Sequence, residues 1–169
     1  MNFTAPLDTL HFRPMRLDDL PAVIALDQRS FSLPWPESSF KFEIESNELS
    51  RCWVVEIEAS DGTPILVAMI VIWLIVDEAH VATIAVHPDH RRQKIAQRLL
   101  AHTLIDAYHT GAVKSVLEVR RGNEPAIRMY QRFGYREVGI RKRYYQDNGE
   151  DAVLMDLAPL DLEHMLSLQ

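Results

Sequence analysis

Between Ile65 and Val76 the chain runs through 12 consecutive apolar residues, seven of them β-branched. A membrane-crossing helix needs about 20 such residues, so this run is too short to span a bilayer. Periodicity cannot separate strand from helix in so uniform a stretch, but β-branching favours the pleated conformation. The segment therefore reads as a buried strand. Asp61-Gly62 just before it is a strong turn signal, and Cys52 to Glu58 ahead of that turn reads as the other arm of a hairpin. A chain built around such a hairpin must place a sheet in its core.

The remaining elements follow from the same reasoning. Leu10 to Arg16 alternates as a first strand, with Pro14 marking an edge or an irregular position. Asp18 or Asp19 can cap a helix carrying Leu20, Val23, Ile24 and Phe31, and Pro34 and Pro36 then break it around Trp35. A second short helix begins at Pro36, with Phe40 and Ile44 one turn apart. Asp77-Glu78 turns the chain into a strand from Ala79 to His87, ended by Pro88-Asp89. From Gln93 to His109 the apolar period becomes helical, with Ile95, Ala96, Leu99, Leu100, Leu104, Ala107 and Tyr108 on one broad face and Gly111 beyond its end. Lys114 to Arg120 is a strand, Asn123 an N-cap, and the helix after it runs to Phe133 before Gly134. Tyr135 to Tyr145 and Asp151 to Leu157 form a closing hairpin, and Leu160 to Leu168 an amphipathic tail. Early hairpins joined to a strand-helix-strand unit imply a mixed α/β sheet with helices on its faces.

Composition narrows the function. The 169 residues suit a single domain, 1–169, with one core. At 47% hydrophobic and 25% charged the chain is an ordinary globular one, which sets aside disorder and disulfide scaffolds. A net charge of -6 argues against direct nucleic-acid binding. One cysteine, Cys52, can form neither an internal disulfide nor a multi-thiolate metal site. With no uninterrupted apolar stretch near Met1, a cytoplasmic protein without a membrane association is expected. The six glycines are placed so that no dinucleotide-binding, P-loop or serine-hydrolase motif can be written. His80, His87 and His90 share no helical face and have no cysteine nearby, so no metal site is expected.

Within this acidic chain, Arg91-Arg92-Gln93-Lys94 places three cations between a strand and the start of a long helix. Unpaired N–H groups and the positive end of the helix dipole add to them, giving an anion site suited to a phosphate or pyrophosphate. A solvated turn is the plainer alternative.

His87-Pro88-Asp89-His90-Arg91-Arg92-Gln93-Lys94-Ile95-Ala96, preceded by Thr83-Ile84-Ala85-Val86, resembles the acyl-CoA-binding motif of GNAT N-acetyltransferases. Leu117-Glu118-Val119-Arg120, Asn123, Ala126 to Tyr130 and Phe133-Gly134-Tyr135 resemble the second half of the same fold. The likeness covers residues 13 to 158. It implies a mixed, mostly antiparallel central sheet with helices on both faces, acetyl-CoA as co-substrate and no metal. Ile84, Ala85, Val86, Arg91, Arg92, Gln93, Lys94, Ile95, Ala96 and Asn123 are then the cofactor-binding residues, with Glu118 and Tyr130 catalytic. Val76 to Ala79, Ile140 to Tyr145, Gly149 to Ala152 and Pro34-Trp35 resemble the branch that acetylates the N-terminal alanine of a small-subunit ribosomal protein. That branch implies a protein or peptide N-terminus as acceptor, with Tyr144 or Tyr145 touching the peptide. Alternatives are a family member acting on a small amine or a lysine, and a non-catalytic acyl-CoA-binding module.

The cradle departs from the family pattern at one position: Lys94 stands where a glycine is expected, while Ala96 fills the second small position. A left-handed backbone at Lys94 would cost roughly 1–2 kcal/mol; a place in the first helical turn would cost almost nothing.

The chemistry can be argued apart from the resemblance. An α-amine of pKa about 7.7–8.0 loses its proton at pH 7 for roughly 1 kcal/mol, whereas a lysine of pKa about 10.4 needs about 4.6. A modest base such as Glu118 suffices for the first, and Tyr130 can return a proton to the departing thiolate. Each also has an ordinary role available. Glu118 shares a strand face with Val116 and Arg120 and can simply pair with a cation, while Tyr130 sits on an apolar helix stripe.

Overall fold

The computed structural model describes residues 10–169; the first nine residues of the amino-terminal stretch read above lie outside them. The strands are β1 (His11–Pro14), β2 (Ser50–Glu58), β3 (Pro64–Ile75), β4 (Glu78–Val86), β5 (Lys114–Arg120), β6 (Arg136–Arg141) and β7 (Ala152–Leu157). The helices are α1 (Leu20–Ser30), α2 (Glu37–Glu45), α3 (Ile95–His109), α4 (Glu124–Phe133) and α5 (Leu162–Ser167). All seven strands join one sheet in the order β1-β2-β3-β4-β5-β7-β6. It is mixed: β1 with β2, β5 with β7 and β6 with β7 are antiparallel, while β4 and β5 run parallel.

The chain gathers into two compact units, one of residues up to Val71 with Thr83–Leu100, the other of Ile72–Ala82 with Ala101–Gln169. In the first, the apolar run behaves as its composition predicts: Val67 to Val71 are fully buried, as are Val54 and Val55 on β2. Strands buried on both faces need no alternation, so the sequence shows none. The β2–β3 turn is closed by the Gly62 N–H donating to Ala59 O at 2.9 Å, with Gly62 at φ 81. Helix α1 buries Leu20, Val23 and Leu26, and α2 buries Phe40. Phe31, expected on the α1 stripe, lies past the helix end and is exposed, because Phe31 adopts extended backbone as the C-cap.

The second unit is built on β5, whose burial alternates strictly, with Ser115, Leu117 and Val119 inward. Ser115 is fully buried; its hydroxyl donates to Ala79 O at 2.7 Å, so the Tyr135 hydroxyl, 2.5 Å away, must be the donor in that pair. Asn123 caps α4 by accepting from the Ala126 N–H, and Gly134 ends it in the left-handed conformation at φ 97, as the sequence indicated. Leu160 and Met165 of the tail are buried.

Among the boundaries that differ from expectation are two strand ends. Strand β3 ends at Ile75, and Val76 is a turn residue at φ 58 and 97% exposed. Strand β6 ends at Arg141 rather than Tyr145. Arg143 turns the chain at φ 51, and its N–H donates to Asp151 Oδ1 at 2.8 Å, which commits 142–150 to a loop.

Candidate active site

The cradle lies wholly in the first unit. Strand β4 delivers Ile84, Ala85 and Val86, the last two buried, to a short 3-10 turn at Pro88–His90. The His87 N–H donates to Val67 O at 2.8 Å, fixing where the strand ends. Arg91 then folds back, its Nε–H donating to Val86 O at 3.0 Å.

Arg92 and Lys94 both take left-handed backbone, at φ 63 and φ 60, and the Lys94 carbonyl already accepts from the Arg98 N–H at 3.0 Å. Lys94 is therefore the residue before α3, not part of its first turn, and the helix begins at Ile95 rather than Gln93. Left-handed residues at the head of a helix turn backbone N–H groups toward one concavity, the arrangement that binds phosphate oxygens. Arg91, Arg92 and Lys94 are exposed around it, whereas Ile95 is buried and anchors the helix to the core. These residues fit a pyrophosphate-bearing ligand: backbone N–H groups, a 15-residue helix behind them, and exposed cations at the rim.

The acid–base candidates lie in the second unit. Glu118 points from the half-exposed face of β5, and its Oε1 is 3.1 Å from Arg141 Nη1. The Glu118 carboxylate beside Tyr144, with burial, raises the phenol's pKa above its ordinary value. Glu118 thus pairs with a cation, as the plainer sequence reading allowed, and does so in a cluster that also holds two tyrosines.

Tyr130 is only 5% exposed on α4, its ring 5.6 Å from that of Tyr135 and tilted 62° to it. Burial, and to a lesser extent the nearby Tyr145, push its pKa above the ordinary phenol value, so it keeps its proton throughout the neutral range. Asn123 belongs to this unit as well, its side-chain oxygen committed to the cap. Of the site residues read from sequence, 84–96 form one continuous strand-turn-helix, while Glu118, Asn123 and Tyr130 sit on β5 and α4.

Three features were beyond sequence reasoning. Arg141 reaches Glu118 from β6, although β7 lies between the two strands. Arg120, two residues after Glu118, lays its guanidinium 3.8 Å from the Tyr145 ring centroid. In the first unit, the fully buried Asp27 accepts from the Trp35 N–H at 2.7 Å and fixes the loop between the two prolines. The spacing of Glu118 and Arg120 hinted at a shared face, but their partners depend on strand register.

Cys52 is half-buried, and loss of solvent pushes its thiol up to about 11, which leaves it a poor nucleophile. Among the described residues no three His, Cys, Asp or Glu side chains gather where they could hold a metal ion. Nor is any described helix long and apolar enough to cross a membrane.

The first unit thus carries a strand, a left-handed basic turn and a helix start, and the second a carboxylate and a buried phenol on one β-α segment; the class of protein is an α/β acyltransferase. The acetyltransferase (GNAT) family matches residues 20–135, and the chain belongs to it. It is an N-acetyltransferase that takes its acetyl group from acetyl-CoA. The putative ribosomal protein bS18-alanine N-acetyltransferase of Bacillus subtilis is 37% identical over 143 residues, covering 85% of this chain and 91% of the relative. The ribosomal protein bS18-alanine N-acetyltransferase of Escherichia coli is 34% identical over 141 residues, covering 82% and 90%. The crystal structure of the Escherichia coli ribosomal-protein-S18-alanine N-acetyltransferase superposes with a TM-score of 0.78 at 30% identity, over 90% of this chain and 94% of that one.

Proposed function

We propose that the whole chain is one RimI-type transferase domain acetylating the N-terminal α-amine of a protein, with the alanine of a bS18-like ribosomal protein as acceptor. The cytoplasm, where that acceptor is assembled, is then its place of action. The observation that carries this reading is the Glu118 carboxylate at the edge of solvent, 3.1 Å from Arg141 and beside Tyr144. A single carboxylate base matches an α-amine, which needs roughly 1 kcal/mol of help at pH 7, better than a lysine, which needs about 4.6. The bS18-alanine relatives supply the acceptor identity.

In this mechanism the backbone of Ile84 to Val86 orients the pantetheine arm of acetyl-CoA. The turn from Arg91 to Ala96, with Arg91, Arg92, Gln93, Lys94 and Ile95 between strand and helix, receives its pyrophosphate, and Asn123 adds a polar contact. Glu118 takes the proton from the amine, directly or through water, as the nitrogen bonds to the thioester carbonyl carbon. The C–S bond then breaks, and Tyr130 gives its phenolic proton to the sulfur. No cysteine takes part.

Calorimetric titration of acetyl-CoA, followed by acetylation of an alanine-terminated peptide, tests the reading. Micromolar binding with turnover is expected, with turnover cut by roughly 10²-fold or more in Glu118→Gln and Tyr130→Phe while binding holds. Preference for a lysine side chain or a polyamine over the peptide would overturn the acceptor assignment.

A further inference from the structure

Strand register puts Arg120, Ala152 and Arg141 in one row across β5, β7 and β6, and Glu118, Leu154 and Gly139 in a row two residues on, on the same face. Directly paired residues share a sheet face, so both arginines stand on the face that carries Glu118. The small Ala152 between them leaves Arg141 room to cross β7 and reach Glu118.

Past Arg141 the loop folds into a turn closed on itself. The Tyr145 N–H donates to Glu150 O at 3.1 Å, and the Gly149 N–H donates back to Tyr145 O at 2.8 Å. Arg120 is what this turn rests on. Its Nη2 donates to Asp147 Oδ2 at 2.8 Å and its Nη1 to Glu150 Oε2 at 3.2 Å, while its plane covers the Tyr145 ring. Glu150 Oε1 in turn accepts from the Gly122 N–H at 2.7 Å, tying the loop to the end of β5. Burial opposes the Arg120 charge, but the two carboxylates outweigh it and hold its pKa above the ordinary value.

On the other side of the turn, the Tyr144 ring stands perpendicular to that of Tyr145, 5.2 Å away, with the Arg141 guanidinium 5.5 Å from its centroid. A continuous chain of contacts therefore runs from Arg120 through Tyr145, Tyr144 and Arg141 to Glu118.

We infer that Arg120 is a positioning residue for the acceptor: by gripping the Tyr145–Glu150 turn it holds Tyr144 and Arg141 on Glu118 and so shapes the place where the amine meets its base. This rests on the acetyl-transfer reading above. Only arginine meets the requirement, since a planar fork can serve two carboxylates and stack on a ring together, which a lysine ammonium cannot. Gly122 is part of the grip, because a Cβ there would lie 2.8 Å from Glu150 Oε1 and push that carboxylate aside.

The test uses the full chain as Arg120→Met, Arg120→Lys and Gly122→Ala. It measures peptide KM and kcat, acetyl-CoA Kd, and amide exchange over 142–150. The expected result for Arg120→Met is faster exchange confined to that loop, with peptide KM raised roughly tenfold and kcat and acetyl-CoA Kd within about twofold. Arg120→Lys gives no rescue, and Gly122→Ala moves the same quantities in the same direction by less. A brace needed only for folding would lower kcat with the active fraction and leave KM alone. Unmoved KM in an active enzyme, or a full rescue by lysine, overturns the inference while acetyl transfer stands. A wild-type chain that binds acetyl-CoA yet acetylates no α-amine overturns the proposed function, and the positioning role falls with it.

Discussion

Arg141 and Glu118 meet at 3.1 Å with their side chains 54% and 19% exposed, an ion pair at the edge of solvent rather than inside the core. Such a pair contributes about 0–1 kcal/mol to stability and can open without a large penalty. Held there by the turn that Arg120 grips, Arg141 helps to shape the place where the amine meets its base. Arg141→Gln is therefore expected to raise the KM for an alanine-terminated peptide by about three- to tenfold, with stability changed by less than about 1 kcal/mol. Steady-state kinetics with a urea titration checks both; an unchanged or lower KM refutes the role.

Lys94 carries its departure from the family pattern as backbone strain, at φ 60. Glycine relieves roughly 1–2 kcal/mol there but returns about 0.5–1 to the unfolded chain as entropy. Lys94→Gly should therefore gain roughly 0.5–1 kcal/mol in chemical denaturation. Acetyl-CoA binding, measured by calorimetry, is expected in both forms. Binding by the glycine form alone would mean that the lysine blocks the cradle.

Asp27 is fully buried, with Oδ2 on the Trp35 N–H and Oδ1 without a partner among the described residues. Loss of solvent raises its pKa, the Trp35 bond only partly opposing this. A raised carboxyl favours folding fully below its unfolded pKa of about 3.9, and that contribution is lost as pH rises through the folded value. Asp27→Asn keeps an acceptor for Trp35 and removes the titration, so the difference between wild type and variant should tilt against the wild type as pH rises from about 4. Denaturation at several pH values reads that tilt, and parallel curves would refute it. Asp27→Ala strands the Trp35 N–H and should cost about 1–3 kcal/mol.

Val76 combines a β-branched side chain, φ 58 and 97% exposure. No burial compensates for a conformation that such residues rarely adopt. Val76→Asn is expected to raise the denaturation midpoint by the equivalent of about 1 kcal/mol, asparagine tolerating left-handed backbone far better. A lower midpoint would show that Val76 is held there by something other than the turn.

Local chemistry made much of the fold legible in advance. Asn123 and Gly134 mark the ends of α4 because an N-cap oxygen and a left-handed C-cap are demands of a single helix, met within a few residues. Asp61-Gly62 marks its turn, and β-branching marks β3, for equally local reasons. The basic run from Arg91 to Lys94 could be placed between a strand and a helix start because the three are contiguous in the chain. The same locality explains the misplaced ends. Nothing near Tyr145 says that the strand must stop at Arg141, since the loop that replaces it is held by Arg120, Asp151 and Gly122.

By itself the sequence determined the order of strands and helices, the caps and turns between them, and the basic turn ahead of α3. Those depend on short-range sterics and on the period at which apolar side chains recur. Only the tertiary structure decided which side chains meet at Glu118, that Lys94 lies before its helix in left-handed backbone, and that Asp27 holds the Trp35 loop. Each depends on which strand lies beside which and in what register, and a register is set by the packing of the whole sheet rather than by the residues it brings together.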